Sequence, residues 1–325
     1  MRILHLSTNP YNYWSTYEGE YLNEALMECP GIELRAWGRF RPFFVPNLNA
    51  VEIVEHLYGN DFPDVVIVHS TLSRHEDLSD QKMMVGLEIL RQRCILVWRT
   101  FDPWKLDYYR EQYERYRPHI WLVWYPGYVK HFESMFDEKE TKVYLFPHAV
   151  GRRYLNKMSP RPYDLLLLGR CQNDGKSVSK RDFRGLKVFQ PRRFRRRTAA
   201  FAEYIRQLNL CKATWSSPYQ GKYATLRFVE APACGTLSVV PHHFDDLNEY
   251  YFPQDAYLVC EGNLSKAVEV LRSLDRDKDT FFRLQERAYK IVMNNHRMRN
   301  RVMYLIDILN GKYDADPRDY YGIPI

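Results

Sequence analysis

The chain alternates short apolar runs with amphipathic stretches along most of its length. A run such as "DVVIVHS" has consecutive β-branched residues without polar alternation, which predicts a strand covered on both faces, as in a parallel sheet. The stretches between these runs repeat their apolar residues with a helical period. Strands that alternate with helices at this spacing favour a doubly wound α/β domain.

The first half of the chain is predicted to form one such domain. Its predicted helices are residues 19–28, 80–93 and 104–116. Its predicted strands are residues 2–7, 32–37, 64–69, 95–100, 119–124 and 142–146.

A second α/β pattern follows a break near residues 147–162, where the periodicity lapses and prolines and basic residues gather. Predicted strands there are 163–169, 236–240 and 256–260, with helices near 193–207, 224–234 and from 264 to about 310. We therefore expect an N-terminal domain (1–150), a linker (151–162), a C-terminal domain (163–310) and a polar tail (311–325).

Length and composition restrict the number of domains, the location and the partners of the protein. A length of 325 residues suggests two domains, and the sequence contains no apolar run near the ~20 residues of a membrane span. Six scattered cysteines without a Cys-x-x-Cys pair predict free thiols and a cytoplasmic protein. The net charge of +7 indicates anionic partners, namely nucleic acid, an acidic membrane surface or phosphorylated small molecules.

One stretch indicates a functional site. In "RFVEAPACGTLSVVP", from Arg227 to Pro241, a glutamate lies among small apolar residues and a glycine precedes a predicted strand. It resembles the C-terminal domain of GT-B glycosyltransferases, in the family-4-like branch of the spore-maturation (CgeB-type) enzymes. The matching residues are Arg227, Phe228, Glu230, Ala231, Ala233, Cys234 and Gly235.

Other segments resemble the same family in the same order. They are "VYLFPHAV", "YDLLLLGR", "FDDLNEYYFPQDAYLV", "NLSKAVEVLRSL" and "NNHRMRNRVMYLI", so that the resemblance covers about residues 142–310. It implies a GT-B fold, α/β with two facing Rossmann-like doubly wound domains and an interdomain cleft. It also implies that the acceptor binds to the N-terminal domain and a nucleotide sugar to the C-terminal one.

The resemblance gives Glu230 the role of accepting two hydrogen bonds from the donor ribose. The start of its helix, at Tyr223, Ala224 and Thr225 and on to Arg227, would present free N–H groups to the diphosphate. Gly235 would let the chain turn tightly from helix to strand. The alternative is a capping or surface glutamate on an amphipathic helix.

The sequence departs from the family at one position. The family has a second glutamate eight residues before Glu230, and Lys222 stands there instead. Arg170 and Lys176 follow a predicted strand, where the family places cations that neutralise the leaving diphosphate; both could also be solvated surface residues.

Three further residues are candidates because they follow predicted strands or a domain boundary. His69 could hydrogen-bond the donor sugar or act as a base, Asp102 occupies a similar place one strand later, and His148 could line the cleft. The alternatives are a structural histidine at His69 and a turn-forming Asp-Pro at Asp102.

The basic run Arg192–Arg197 could contact phosphates or form a solvated face. No zinc-ligand set, Walker loop or Gly-x-Ser-x-Gly elbow is present, and we expect no Asp-x-Asp metal pair in the cleft, so we expect no metal and no cofactor besides the donor. The sequence thus predicts a hexosyltransferase-type enzyme, retaining and metal-independent, that acts on a glycan, protein or small-molecule acceptor. The alternatives are a glycosyltransferase acting on DNA bases and a degenerate protein that binds nucleotide or glycan without turnover.

Overall fold

The computed structural model of the chain describes residues 1–7, 17–38, 41–69, 82–100, 105–154, 160–168, 171–173, 176–191, 200–218 and 223–321. The chain divides into two compact units, Met1–Pro147 and His148–Ile325. The division therefore lies at His148 and not at residue 150, and the predicted linker belongs to the second unit.

The first unit is built on a six-stranded parallel sheet in the order β2-β1-β3-β4-β5-β6. The six strands predicted from apolar runs are confirmed, with their ends shifted by at most one residue. They are β1 (Arg2–Ser7), β2 (Glu33–Trp37), β3 (Val65–His69), β4 (Ile95–Arg99), β5 (Ile120–Val123) and β6 (Lys142–Leu145).

Helices connect these strands. The second and fifth of them were not predicted, although the second begins at a capping box in which Asn49 accepts from the Glu52 N–H and the Glu52 carboxylate accepts from the Asn49 N–H. The described helices of this unit are α1 (Tyr17–Met27), α2 (Ala50–Tyr58), α3 (Leu87–Leu90), α4 (Leu106–Tyr116) and α5 (Pro126–Met135).

The strand register brings polar residues together at the carboxyl edge of this sheet. β3 is buried along its whole length, as strands in the middle of parallel sheets are. Ser7 at the end of β1 lies opposite His69 at the end of β3, and His69 lies opposite Arg99 at the end of β4. Ligands of open α/β sheets bind at this edge.

The second unit is built on a five-stranded parallel sheet in the order β10-β7-β11-β12-β13. A two-stranded antiparallel ribbon, β8–β9, follows β7. The strands are β7 (Tyr163–Leu166), β8 (Gln172–Asn173), β9 (Lys176–Ser177), β10 (Val188–Phe189), β11 (Cys211–Trp215), β12 (Leu237–Val240) and β13 (Leu258–Val259). The central strand β11 was not predicted.

Leu165, Trp215 and Leu237 from this sheet share a buried core with Leu271 and Phe281 from the C-terminal helices. The helices of this unit are α6 (Ala200–Leu210), α7 (Arg227–Ala233), α8 (Asp245–Tyr250), α9 (Leu264–Arg276), α10 (Lys278–Asn295), α11 (Met298–Leu309) and α12 (Arg318–Tyr321).

Arg301 joins the start and the end of the second unit. Its buried guanidinium donates to the carbonyl of His148 at 2.9 Å and to Nδ1 of His296 at 3.1 Å, and it lies 3.9 Å from the ring centroid of Tyr321. The predicted polar tail thus contains a packed helix, α12, whose Tyr321 is buried.

All six cysteines are free thiols, as predicted. Within the described ranges, no helix has the length and apolar character that a bilayer crossing requires.

Candidate functional site

Glu230 lies on α7 with only 7% of its surface exposed. One carboxylate oxygen accepts a hydrogen bond from the Tyr154 hydroxyl, and the other accepts one from the Tyr204 hydroxyl at 2.5 Å. Tyr154 precedes the second sheet, and Tyr204 lies on α6. Glu230 is therefore no surface or capping residue, which removes the simplest alternative to a binding role.

Burial, and next to it the charge of Glu230, raises the pKa of Tyr204 well above its ordinary value. The phenol therefore remains protonated at physiological pH and acts as a hydrogen-bond donor to the carboxylate. Hydrogen bonds that reach a carboxylate favour its charged form.

The sequence after Glu230 ends its helix in a Schellman motif. The Gly235 N–H donates to the Pro232 carbonyl at 2.8 Å, and the Thr236 N–H donates to the Ala231 carbonyl at 2.9 Å. Gly235 has φ +67°, which is the left-handed region that favours glycine. The predicted tight turn from helix to strand is confirmed.

The start of the helix differs from the prediction. α7 begins at Arg227, after Tyr223, Ala224 and Thr225 of the predicted phosphate-binding residues, and the N–H of Phe228 donates to the Thr225 carbonyl at 3.0 Å. Ala224 is buried, whereas Tyr223 and Thr225 are partly exposed. The contacts of these residues with a diphosphate remain a prediction.

Arg227 is a charged side chain close to Glu230. It lies one helical turn before Glu230, and its positive charge acts to lower the pKa values of both Tyr204 and Cys171, although burial raises both. Its Nε is buried and has no hydrogen-bond partner among the described residues. Arg227 therefore brings a positive charge to the region between α7, α6 and the segment that follows β7.

The ribbon after β7 is anchored at the carboxyl edge of the second sheet. The Gln172 N–H donates to Ser217 Oγ at 2.8 Å, and Asn173 Nδ2 donates to the Gly262 carbonyl at 2.8 Å. Ser217 follows β11 and Gly262 follows β13. Lys176, on β9 of this ribbon, is exposed.

Several predicted site residues lie outside the described residues. They are Asp102, Arg170, Lys222 and the basic run Arg192–Arg197.

In the first unit, His69 belongs to a fully buried polar cluster. Arg99 Nη1 lies 3.1 Å from His69 Nδ1, and Arg99 Nη2 lies 3.4 Å from Glu18 Oε2. The guanidinium also lies 4.9 Å from the ring centroid of Trp124. The His5 ring approaches His69 at 5.8 Å between centroids.

The contact with Arg99 fixes the tautomer of His69. Burial, then the charge of Arg99, lowers the pKa of His69 well below its ordinary value, so that the ring is neutral. A guanidinium can only donate, which makes Nδ1 the acceptor and puts the ring proton on Nε2. The Nε2 atom of His69 thus carries an N–H, whereas a general base would need a lone pair there. His69 is fully buried, and its hydrogen bond to a sugar remains a prediction.

His148 is held by its backbone. Its N–H donates to the Tyr251 hydroxyl at 3.1 Å, its carbonyl accepts from Arg301, and the residue is 3% exposed. The structure thus gives His148 a structural role at the start of the second unit.

Sequence reasoning missed four residues of these clusters: Tyr154, Tyr204, Glu18 and Arg99. Tyr204 has the pattern of an ordinary apolar-face residue of a helix, and Arg99 that of the polar end of a buried strand. Arg99 and Glu18 differ from ordinary charged residues only because their charged side chains are fully buried. This burial cannot be read from the sequence.

Comparisons with known proteins agree with this architecture. Residues 173–307 match the model of a family described as glycosyl transferase-like; this segment runs from β8 into α11 and contains Glu230. HepE of Anabaena, solved with UDP and glucose, is 11% identical with a TM-score of 0.58, over 96% of this chain and 100% of that chain. T4 phage BGT, solved with UDP-glucose, is 11% identical with a TM-score of 0.61, over 95% of this chain and 99% of that chain. The chain adopts the GT-B fold.

The GT-B fold is shared by proteins with different reactions. A UDP-N-acetylglucosamine 2-epimerase is similar to the whole of this chain, with 10% identity, a TM-score of 0.52 and 99% of that chain covered. A likeness at this level of identity shows the fold and not the reaction. No curated protein matches the chain by sequence.

Among the described residues, no group of three or more histidine, cysteine, aspartate or glutamate side chains is arranged to hold a metal ion.

Proposed function

We propose that the chain is a glycosyltransferase that moves a sugar from a nucleotide-sugar donor to an acceptor hydroxyl. The donor we propose is a hexose linked to UDP. The match of residues 173–307 to glycosyl transferase-like proteins carries the proposal, because this segment contains the buried Glu230 and its tyrosine donors. HepE and T4 phage BGT, which share the fold, were solved with UDP-glucose or with UDP and glucose. The branch that best fits the motifs remains the family-4-like, CgeB-type one.

In the proposed donor site, a few residues bind the nucleotide. Glu230 accepts hydrogen bonds from both hydroxyls of the nucleotide ribose, while Arg227, Arg170 and Lys176 provide positive charge for the diphosphate. As the bond between the anomeric carbon and the diphosphate oxygen breaks, negative charge accumulates on the departing phosphate, and fixed cations stabilise it. The acceptor oxygen forms the new bond to the anomeric carbon, and its proton passes to the oxygen of the departing diphosphate. His69, as a hydrogen-bond donor to the sugar, and Asp102 are the proposed catalytic residues of the first unit.

The first test is calorimetric titration of the wild-type protein with UDP, GDP, ADP and dTDP. We expect one of them, UDP, to bind selectively. Glu230→Gln should weaken that binding about 10- to 100-fold, because glutamine keeps one acceptor oxygen and loses the other, and one hydrogen bond to a charged acceptor is worth roughly 1.5–3 kcal/mol. Glu203→Gln is the matched control, since Glu203 lies on α6 of the same unit and pairs with Arg206 instead. A folded wild-type protein that binds none of the four nucleotides would refute the proposal.

Turnover separates a transferase from a degenerate binder and from an epimerase. A transferase consumes UDP-glucose with release of UDP, and Glu230→Ala should lower this rate by about 10²-fold. An epimerase would change the sugar without releasing nucleotide in proportion, and a degenerate binder would change neither. We also propose retention of anomeric configuration and no metal requirement. The transfer reaction should therefore proceed in EDTA and give, by NMR of the product, the anomer of the donor.

The nucleic-acid alternative rests on the net charge of +7 and on the basic run Arg192–Arg197. The net charge fits other anionic partners equally well, and the basic run lies outside the described residues, so that no described feature favours nucleic acid over a glycan, protein or small-molecule acceptor.

A further inference from the structure

A cavity of about 660 Å³ lies beside β2, the edge strand of the first sheet. Its lining comes from α1, from β2, from the segment that follows β2 and from the end of α2. Small-molecule sites have volumes of roughly 300–1,000 Å³, so that this cavity has the size of a ligand site. All of its described lining residues belong to the first unit, whereas the proposed donor site lies in the second.

Large apolar side chains line the cavity and remain exposed in the protein. Met27 is 71% exposed and Phe43 is 77% exposed. Leu34, Pro42 and Leu57 continue the apolar lining. Exposed apolar side chains that gather around a cavity are typical of a groove that binds another molecule.

Phe43 has an unfavourable backbone conformation. The Phe44 N–H donates to the Arg41 carbonyl at 3.2 Å and closes a turn with Pro42 and Phe43 at its centre. Phe43 has φ +67°, and glycine or asparagine is the usual residue at such a turn position. Phe44 packs this turn against Trp37, with 5.5 Å between the ring centroids. A bulky side chain is thus kept at the cavity at a cost in backbone strain, which is common at ligand sites.

Two residues of the lining carry buried donor atoms without an acceptor. Asn23 is 4% exposed; its Oδ1 lies 2.6 Å from His5 Nδ1, and its Nδ2 has no partner in the described ranges. Arg41 Nη2 pairs with Glu20, whereas Arg41 Nε has no partner there either. Burial lowers the pKa of His5 to about 3, and the charge of Arg41 acts in the same direction, so that the guanidinium lies near the ring that contacts Asn23. A buried donor without an acceptor is costly, and an oxygen atom of a bound molecule would supply one.

We propose that this cavity binds a small molecule with an apolar, ring-sized body and one acceptor group of the carboxylate or sulfonate type. The body would lie against Phe43 and Met27, and the acceptor group would bind to Arg41 and Asn23. The side chain of Arg41 is 18% exposed, so that a ligand can reach it. A guanidinium has five N–H donors and can hold Glu20 and a ligand oxygen together. This site is independent of the proposed transferase activity.

The test uses two fluorescent dyes that differ in one group. Anilinonaphthalene sulfonate carries a sulfonate, and phenylnaphthylamine has the same rings without it. We expect one sulfonate dye to bind per chain with a dissociation constant of about 10–100 µM, as is usual for a ligand of about twenty heavy atoms. In Arg41→Lys, the ion pair with Glu20 can persist while the Nε donor is lost. The sulfonate dye should then bind about 5- to 10-fold more weakly, and phenylnaphthylamine should change less than about 2-fold.

Two further variants serve as controls. Arg35→Lys is matched to Arg41→Lys, because Arg35 also lines the cavity but its Nε already donates to Glu33 at 3.2 Å. It should change the binding of either dye less than about 2-fold. Phe43→Gly removes the ring and suits φ +67°. Both dyes should then bind about 3-fold more weakly or worse, while the midpoint of urea unfolding does not fall.

Three results would overturn the assignment. A folded wild-type protein that binds neither dye would have no such site. Dye binding that Phe43→Gly leaves unchanged would take place on another surface. Equal effects of Arg41→Lys on the two dyes would show that Arg41 does not recognise an oxygen of the ligand.

Discussion

Arg99→Met is expected to destabilise the first unit by about 3–5 kcal/mol, the usual cost of removing one partner from a buried ion pair. Arg99 and Glu18 both have fully buried side chains. Burial lowers the pKa of Arg99 to about 10 despite the opposing charge of Glu18, which shows how strongly this site disfavours a charge. Without the guanidinium, Glu18 must remain as an uncompensated anion or take up a proton at a cost in stability. His69 also loses the donor to its Nδ1.

Urea unfolding followed by tryptophan fluorescence measures this change. The sequence has seven tryptophans, and all except Trp215 lie in the first unit, so that their emission reports mainly on that unit. Arg110→Met is the matched control, because Arg110 and its partner Asp107 are 57% and 99% exposed. We expect it to cost less than about 1 kcal/mol. In the double variant Glu18→Leu/Arg99→Met, part of the loss should be recovered, because an apolar pair leaves no buried charge. Equal effects of Arg99→Met and Arg110→Met would contradict the prediction.

The sequence predicts most of the first sheet because its strands are buried on both faces. "DVVIVHS" has no polar residue where a half-exposed strand would need one, and the structure buries all of β3. β11 escaped prediction for the opposite reason. Its sequence "CKATW" includes Lys212, whose ammonium reaches Asp164 at 2.9 Å, and it follows α6 without an intervening glycine or proline. Neither the apolar-run signal nor the usual turn signal was present.

The helix α2 was also not predicted, although the sequence contains signals for its start and its end. Asn49, Glu52 and the closing Gly59 form a readable start and stop. The site shows the same division between local and distant information. Glu230 and Gly235 belong to one short motif and could be recognised from it. Tyr154 and Tyr204 meet Glu230 only through the tertiary fold, and no periodicity or local spacing encodes such contacts.

Acidification is expected to destabilise the first unit more strongly than the second. Burial lowers the pKa of His5 and of His296 to about 3, and that of His69 well below its ordinary value of 6.5. In the unfolded chain, these rings take up protons below about pH 6.5, whereas in the folded protein they stay neutral until far lower pH. Stability present above pH 6.5 is therefore lost as the pH falls towards 3, by about 1.4 kcal/mol per pH unit for each histidine. At pH 5 this amounts to about 2 kcal/mol per histidine.

His5 and His69 lie in the first unit, as does the partly buried His119, whose pKa burial also lowers, and His296 lies in the second unit. Urea unfolding at pH 7 and pH 5, followed by tryptophan fluorescence, should thus show a loss of at least about 4 kcal/mol for the first unit. His5→Asn should reduce this loss by about 2 kcal/mol, because asparagine does not titrate, while its amide N–H can still donate to Asn23 as His5 Nδ1 does. His131→Asn is the control, since His131 lies on the exposed side of α5, and the wild-type loss should persist. Because the comparison concerns the change between the two pH values, it holds even if His5→Asn is less stable at both. A loss in His5→Asn equal to that of the wild type would show that His5 is not held neutral in the folded unit.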